Sequence, residues 1–204
     1  MLKWHRDHAR SFPWRESREA YPVLIGELLL QRTRAENVLP VYQEFIRRWP
    51  SPEELAGARV QSIQSVIRPL GLTSKAETLK SLGVALKKAG GTVPTEPDTL
   101  AQLPGVGPYV AHGVPIFAEG RDLPLVDWVI ARVLRRYLGM PGVARPNADR
   151  ELWQAAEKLA RRGQSRTLWL GTLDFAAAIC RPRPLCHQCP IALTCAFATA
   201  RANG

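Results

Sequence analysis

Apolar residues recur every three or four positions along most of this chain, and no segment alternates cleanly at a period of two. A strand buries every second residue, whereas a helix buries a stripe spaced at three and four, so the pattern excludes a sheet protein. Val41, Phe45 and Trp49 make one stripe, and Ile63, Val66 and Ile67 another. Ala76, Leu79, Leu82, Gly83 and Leu86 make a third, closed by Gly90-Gly91. Ile130, Val133, Leu134, Tyr137 and Leu138 line an amphipathic face that Gly139 should stop, and Leu152, Ala156, Leu159 and Ala160 line one more. Ser51-Pro52-Glu53-Glu54 reads as an N-cap, a first-turn proline and a capping-box glutamate. The chain predicts an all-α fold of roughly eight to ten helices.

The length, 204 residues, suits one large domain or two small ones. Apolar residues at 46% and charged residues at 23% exclude disorder and collagen-like repeats. The apolar stretches near Val23–Leu30 and Ala176–Cys180 fall far short of the ~20 residues a membrane span needs. The opening MLKWHRDHARSFPW lacks the apolar region of a signal peptide, so a cytoplasmic protein without a membrane partner is expected. The net charge of +10 favours a polyanionic partner, nucleic acid first and an acidic membrane second.

Leu103-Pro104-Gly105-Val106-Gly107-Pro108-Tyr109-Val110-Ala111 is a sharp local signal between two helical segments, the first running from Pro97 to Gln102. Two glycines separated by one residue allow a tight turn with positive φ and a close approach. The amides of Gly105, Val106 and Gly107 would then face outward at a helix start, where unpaired N–H groups and the helix dipole favour a phosphate. The pattern is a helix-hairpin-helix, a sequence-independent grip on a DNA backbone. A dinucleotide fold would need a strand before the glycines, and none precedes them.

All four cysteines lie within one 16-residue window, Cys180-x5-Cys186-x2-Cys189-x5-Cys195. A disulfide framework is not expected without an export signal. Four thiolates from one loop suit either a [4Fe–4S] cluster or a tetrahedral zinc. Zinc sites usually pair one close Cys-x2-Cys with another. A single close pair flanked by two wide gaps fits a cubane cluster better. Arg181 and Arg183, in the proline-stiffened loop between the first two cysteines, are candidates for phosphate contact. His5, His8, His112 and His187 show no ligand pairing.

These motifs together resemble the helix-hairpin-helix DNA glycosylases that carry an iron–sulfur cluster, the endonuclease III superfamily. The carriers are Leu103–Ala111, Val126-Asp127, Arg132-Val133 and the four cysteines. Phe12-Pro13-Trp14-Arg15 and Gly26-Glu27-Leu28-Leu29-Leu30-Gln31-Arg32-Thr33 resemble the branch of adenine and thymine-mismatch glycosylases. The resemblance implies a six-helix hairpin domain over 21–120, a discontinuous cluster domain from 1–20 and 121–204, and an active site between the lobes. It also implies a monomer acting on double-stranded DNA with a mismatched or damaged base.

By the same resemblance the essential aspartate is Asp127, which also stands where an N-cap would. A carboxylate facing the sugar stabilises oxocarbenium character and orients water, once the target base has left the stack. Bifunctional members carry a lysine at position 109, which attacks the sugar as an amine. Tyr109 cannot form a Schiff base. Glu27 lies in an apolar run whose burial would hold it protonated. It matches the glutamate that protonates the leaving purine in the adenine branch, and thymine-mismatch relatives carry it too. Gln31 and Leu72 match positions that enter the duplex, with Leu72 equally plausible as core.

The implied activity is a monofunctional DNA N-glycosylase of base excision repair, removing thymine or uracil opposite guanine. Removal of adenine opposite 8-oxoguanine or guanine is the first alternative, and a non-catalytic DNA-binding module with a structural cluster the second. The paired tyrosine of the adenine branch is missing from Leu70-Gly71-Leu72-Thr73-Ser74, and no oxidised-guanine-reading module follows Cys195. Four departures stand out. The first cysteine gap is x5 where x6 is usual, Val129 replaces a usual asparagine, the Gly-Leu segment is one residue short, and Pro115 should kink or end the helix after the hairpin. Trp128 adjoins Asp127 and is the one tryptophan not read as a core candidate.

Overall fold

Helices are the only regular structure among the residues described by the computed structural model, 2–31, 33–142 and 145–202, and no strand occurs among them. Thirteen are α-helices, eight of them eight residues or longer. Three of the five shorter ones open on a proline, as the sequence indicated at Pro52 and Pro97. Two compact units result: Ser11–Glu119, and Met1–Arg10 joined to Gly120–Gly204.

Helix α1 (Leu2–His8) belongs to the second unit. The first unit carries α2 (Pro13–Glu16), α3 (Ala20–Leu29), α4 (Ala35–Arg48), α5 (Pro52–Gly57), α6 (Val60–Ile67), α7 (Ala76–Lys88), α8 (Pro97–Leu100) and α9 (Pro108–Glu119). Its axis is α3, buried from Tyr21 to Leu29 except Pro22, with α9 packed along it. The stripe on α7 is buried as expected, at Ala76, Leu79, Leu82, Gly83 and Leu86. Ser51 and Glu54 form the expected capping box on α5. Trp14, fully buried, stacks on Phe12 at 4.8 Å and meets Tyr42 edge-on. Gly26 makes room for it, since a Cβ there would lie 2.5 Å from Trp14 Cβ. This contact ties the segment 11–20 to α3, so the join between units falls after residue 10, where the resemblance placed it after residue 20. Arg32, quoted in the motif above, lies outside the described residues.

Pro115 does not end α9, which continues to Glu119. A helix-interior proline costs about 3 kcal/mol. Seven other residues of α9, Val110, Ala111, Gly113, Val114, Ile116, Phe117 and Ala118, are buried around it. Burial on that scale outweighs one missing hydrogen bond.

The second unit adds α10 (Trp128–Leu138), α11 (Arg150–Ala160), α12 (Ser165–Ala178) and α13 (Ala196–Ala202). Gly139 stops α10 in the left-handed conformation, φ 69°. The apolar face of α10 ends at Leu134, however; Tyr137 is half-buried and Leu138 exposed. Helix α1 packs on α12, where Asp174 is buried. The Arg10 N–H and Nε donate to Asp174 at 3.1 and 2.7 Å. Asp174→Ala is expected to cost about 3 kcal/mol, the low end for breaking a buried ion pair, because Arg10 keeps access to water. A thermal melt should fall by roughly 6–12 °C. A fall under about 2 °C would show that the pair contributes nothing net.

Candidate active site

Asp127 is the N-cap of α10. Its backbone is extended, φ −136°, and its Oδ1 accepts the Ile130 N–H at 2.6 Å. Leu125 and Val126, immediately before it, are fully buried, so the carboxylate is anchored on both sides. Burial pushes the Asp127 carboxyl above the ordinary aspartate range. The N–H groups of Ile130 and Val129 and the Arg132 charge pull the other way, and burial wins. The result is a rigidly held carboxylate with raised basicity, suited to a positive centre and a water proton. Val129 is partly buried and packs against the core cluster of Val133, Phe175 and Ala176. Trp128 is 64% exposed.

The hairpin departs from expectation at one amide. Gly105 is left-handed, φ 79°, and a Cβ there would lie 2.8 Å from Thr78 Cγ2. The Val106 N–H does not face outward. It closes the turn by donating to Leu103 O at 3.1 Å, with the Val106 side chain buried. Among the described residues, the Gly105 and Gly107 amides donate to no backbone carbonyl, and nothing lies within 4 Å of a Cβ built on Gly107. Gly107 therefore leaves open surface beside the start of α9. The helix before the turn is shorter than expected, ending at Leu100.

Tyr109 is half-buried in the first turn of α9. Glu27 is 5% exposed on α3, so it does not turn outward to solvent. The two residues thus stand on helices that pack together. Gln31 follows α3, and its Oε1 accepts a hydrogen bond from Lys75 Nζ. Lys75 belongs to the single turn Thr73–Lys75 that begins after Leu72, and its N–H bonds Leu72 O at 2.8 Å. Lys75, to which sequence reasoning gave no role, therefore ties Gln31 to the turn that follows Leu72. Leu72 is half-buried, which separates it from the core. Asp127 and the cysteines stand in the other unit.

The four cysteines all line one cavity with apolar walls that include Val133, Phe175, Ile191 and Phe197. Burial pushes the Cys189 thiol up, and the thiols of Cys195, Cys180 and Cys186 add to the rise. Such a set of mutually repelling sulfurs fits a cationic iron–sulfur core. Among the described residues no group of His, Cys, Asp or Glu converges as a single metal ion requires. Arg181 and Arg183 are exposed on the loop.

Helix α10 holds this loop through two arginines. Arg132 Nε donates to Cys180 O at 2.9 Å. Arg136 donates to Arg181 O at 2.7 Å, to Pro182 O at 2.9 Å and to Cys180 Sγ at 3.5 Å, and lies over the Phe197 ring. The helix that Asp127 caps is thus the helix that fixes the cysteine loop. Sequence reasoning quoted Arg132 only as part of a motif and assigned Arg136 no role. Its spacing from Val133 on an amphipathic helix was the one available signal.

Comparison with known proteins gives a consistent result. Residues 25–159 match the model of the HhH-GPD superfamily base excision DNA repair proteins. A thymine/uracil-DNA glycosylase of Pyrobaculum aerophilum is 39% identical over 199 residues, covering 94% of this chain and 86% of that one. A thymine-DNA glycosylase of Aeropyrum pernix is 35% identical over 204 residues, covering 97% and 92%. The solved structure of a thermostable thymine-DNA glycosylase superposes with a TM-score of 0.91 at 35% identity, covering 98% of this chain and 93% of that one. With a helix-hairpin-helix turn, a helix-capping aspartate and four clustered cysteines already in place, the match over residues 25–159 means that the chain belongs to the HhH-GPD superfamily of base excision DNA repair proteins.

Proposed function

We propose that this protein is a monofunctional DNA N-glycosylase that removes thymine or uracil opposite guanine and leaves an abasic site. The observation that carries the reaction is the buried-side, helix-capping carboxylate of Asp127, raised in basicity by its surroundings. The choice of base rests on the likeness to the two thymine glycosylases over nearly their whole lengths.

In the reaction the bond between C1′ and the pyrimidine N1 breaks, and its electron pair leaves with the base. Asp127 faces the positive charge that develops on the sugar. It then takes a proton from the water whose oxygen bonds to C1′. Glu27, buried on α3, hydrogen-bonds the departing base and favours its departure. Tyr109 offers a phenol where an amine would be needed for strand cleavage, so chemistry stops at the abasic site. The Gly105–Gly107 turn and the exposed Arg181 and Arg183 hold phosphates. Gln31, steadied by Lys75, and Leu72 fill the space left in the duplex. Cys180, Cys186, Cys189 and Cys195 would hold a [4Fe–4S] cluster, which supplies a rigid cross-link for their loop.

A buried glutamate at position 27 favours one other reading, adenine removal, because a departing purine gains more than a pyrimidine from a carboxyl beside it. A panel of T:G, U:G and A:8-oxoguanine duplexes separates the readings. Strand breaks at T and U that form only after alkali are expected. Breaks before alkali would overturn the monofunctional reading, and release confined to the A:8-oxoguanine duplex would select the adenine reading. No release from any duplex would leave a DNA-binding module.

A further inference from the structure

Trp128 is the only tryptophan of the described residues that is exposed, with 64% of its surface open. Trp14, Trp49 and Trp169 are buried, and Trp4 and Trp153 partly so. A solitary exposed aromatic is ordinary on a protein surface. Its position is what gives it meaning.

Trp128 is the first residue of α10 and follows Asp127 directly, so the two Cα atoms lie about 3.8 Å apart. Side chains in a helix tilt toward its N-terminus, so one in the first turn extends past the helix end. That end is capped by Asp127, whose carboxylate accepts the Ile130 and Val129 N–H groups. Its backbone is not free to withdraw, because Asp127 is bonded to Ile130 and both Val126 and Ile130 are buried. The next residue, Val129, is committed to the core beside Phe175. At the start of α10, the side chain left open beside the carboxylate is therefore an indole.

We propose that Trp128 is a substrate-contact residue whose indole stacks on a DNA base at the excision site. Extruding one nucleotide strips its neighbours of a stacking partner. An aromatic face replaces that partner whatever the base, because every base presents a π-face. This inference rests on reading Asp127 as the group that faces the sugar.

The test uses the full chain with Trp128→Ala and Trp128→Phe. The probes are a duplex bearing a tetrahydrofuran abasic analogue opposite guanine and its fully paired counterpart. Trp128→Ala should lose about tenfold in affinity for the analogue duplex and less than about threefold for the paired one, and Trp128→Phe should stay within about threefold of wild type on both. Binding the analogue should also shield the acrylamide-accessible part of the tryptophan emission, a part that Trp128→Phe lacks from the start. A general folding defect would weaken both duplexes alike and would not be rescued by phenylalanine. Equal affinity of Trp128→Ala and wild type, an equal loss on both duplexes, or emission still open to acrylamide in the complex would overturn the inference. Base release is read separately. A wild type that releases no base overturns the functional reading, while the binding comparison still decides the stacking.

Discussion

Asp127→Asn is expected to slow base release by at least about a thousandfold while leaving the fold as stable as wild type. The two halves of that expectation separate the two jobs of one residue. Asparagine caps a helix about as well as aspartate, so the bond to the Ile130 N–H survives the change. On the proposed reaction, what disappears is the charge that would face the sugar and the capacity to take a proton from water. The acid limb of the rate profile follows from the same residue. Only the ionised carboxylate can do this work, so the rate rises with pH through the pKa of Asp127. Burial raises that pKa, so the limb lies above the range of an ordinary aspartate near ~3.9. For stability the sign is opposite. A carboxyl whose pKa is higher folded than unfolded binds its proton more tightly in the fold. The stability it contributes is present below the unfolded pKa and is lost as pH rises through the folded one. At neutral pH the ionised group is therefore a net cost, and Asp127→Asn should melt at or above the wild-type temperature. Residual activity within about tenfold of wild type would remove Asp127 from the chemistry. A melting temperature several degrees lower would make it a folding residue first.

How far the sequence could be read follows from which interactions are local. The stripe on α7 and the Ser51–Glu54 box were legible because every contact they encode lies within a few residues. The glycine hairpin was legible as a turn, yet one of its three amides closes the turn itself, a detail decided by the Leu103 carbonyl. Pro115 was misread because local propensity carries no knowledge of the core that surrounds α9. The arginines are the clearest case. Arg136 and the loop it holds are about 45 residues apart in sequence, and its spacing from Val133 gives no indication of which partner it meets. Lys75 and Gln31 are separated by 44 residues and were missed for the same reason. The parts of the site that were read depend on residue type and spacing. The parts that support them depend on packing.

Cys189→Ser is the second change expected to have a large effect, and it acts on the fold of one loop. Wild type should be brown, with absorbance near the violet, from a cluster held by four thiolates. The segment from Cys180 to Cys195 has no α-helix, only the single turns Cys186–Gln188 and Ala192–Thr194, and most of its residues are exposed or half-buried. Arg132 and Arg136 of α10 hold its backbone carbonyls, and its four cysteines line one apolar-walled cavity. Replacing one thiolate by a weak hydroxyl ligand should discharge the cluster, because iron of this kind is held by sulfur. With the cavity empty, buried apolar walls and three thiols remain around a void, and the loop falls to the low-stability end of the molecule. The expected protein is colourless, is cut by protease between residues 180 and 195, and binds duplex DNA less tightly because Arg181 and Arg183 are no longer held in place. The first unit has its own core around α3 and α9 and keeps its helices, so most of the far-ultraviolet helical signal should survive. A wild type that is colourless with stoichiometric zinc would replace the cluster with a single metal. A Cys189→Ser protein that stays brown with full iron would show that three thiolates suffice, and the protease pattern would then decide whether the loop needs the fourth.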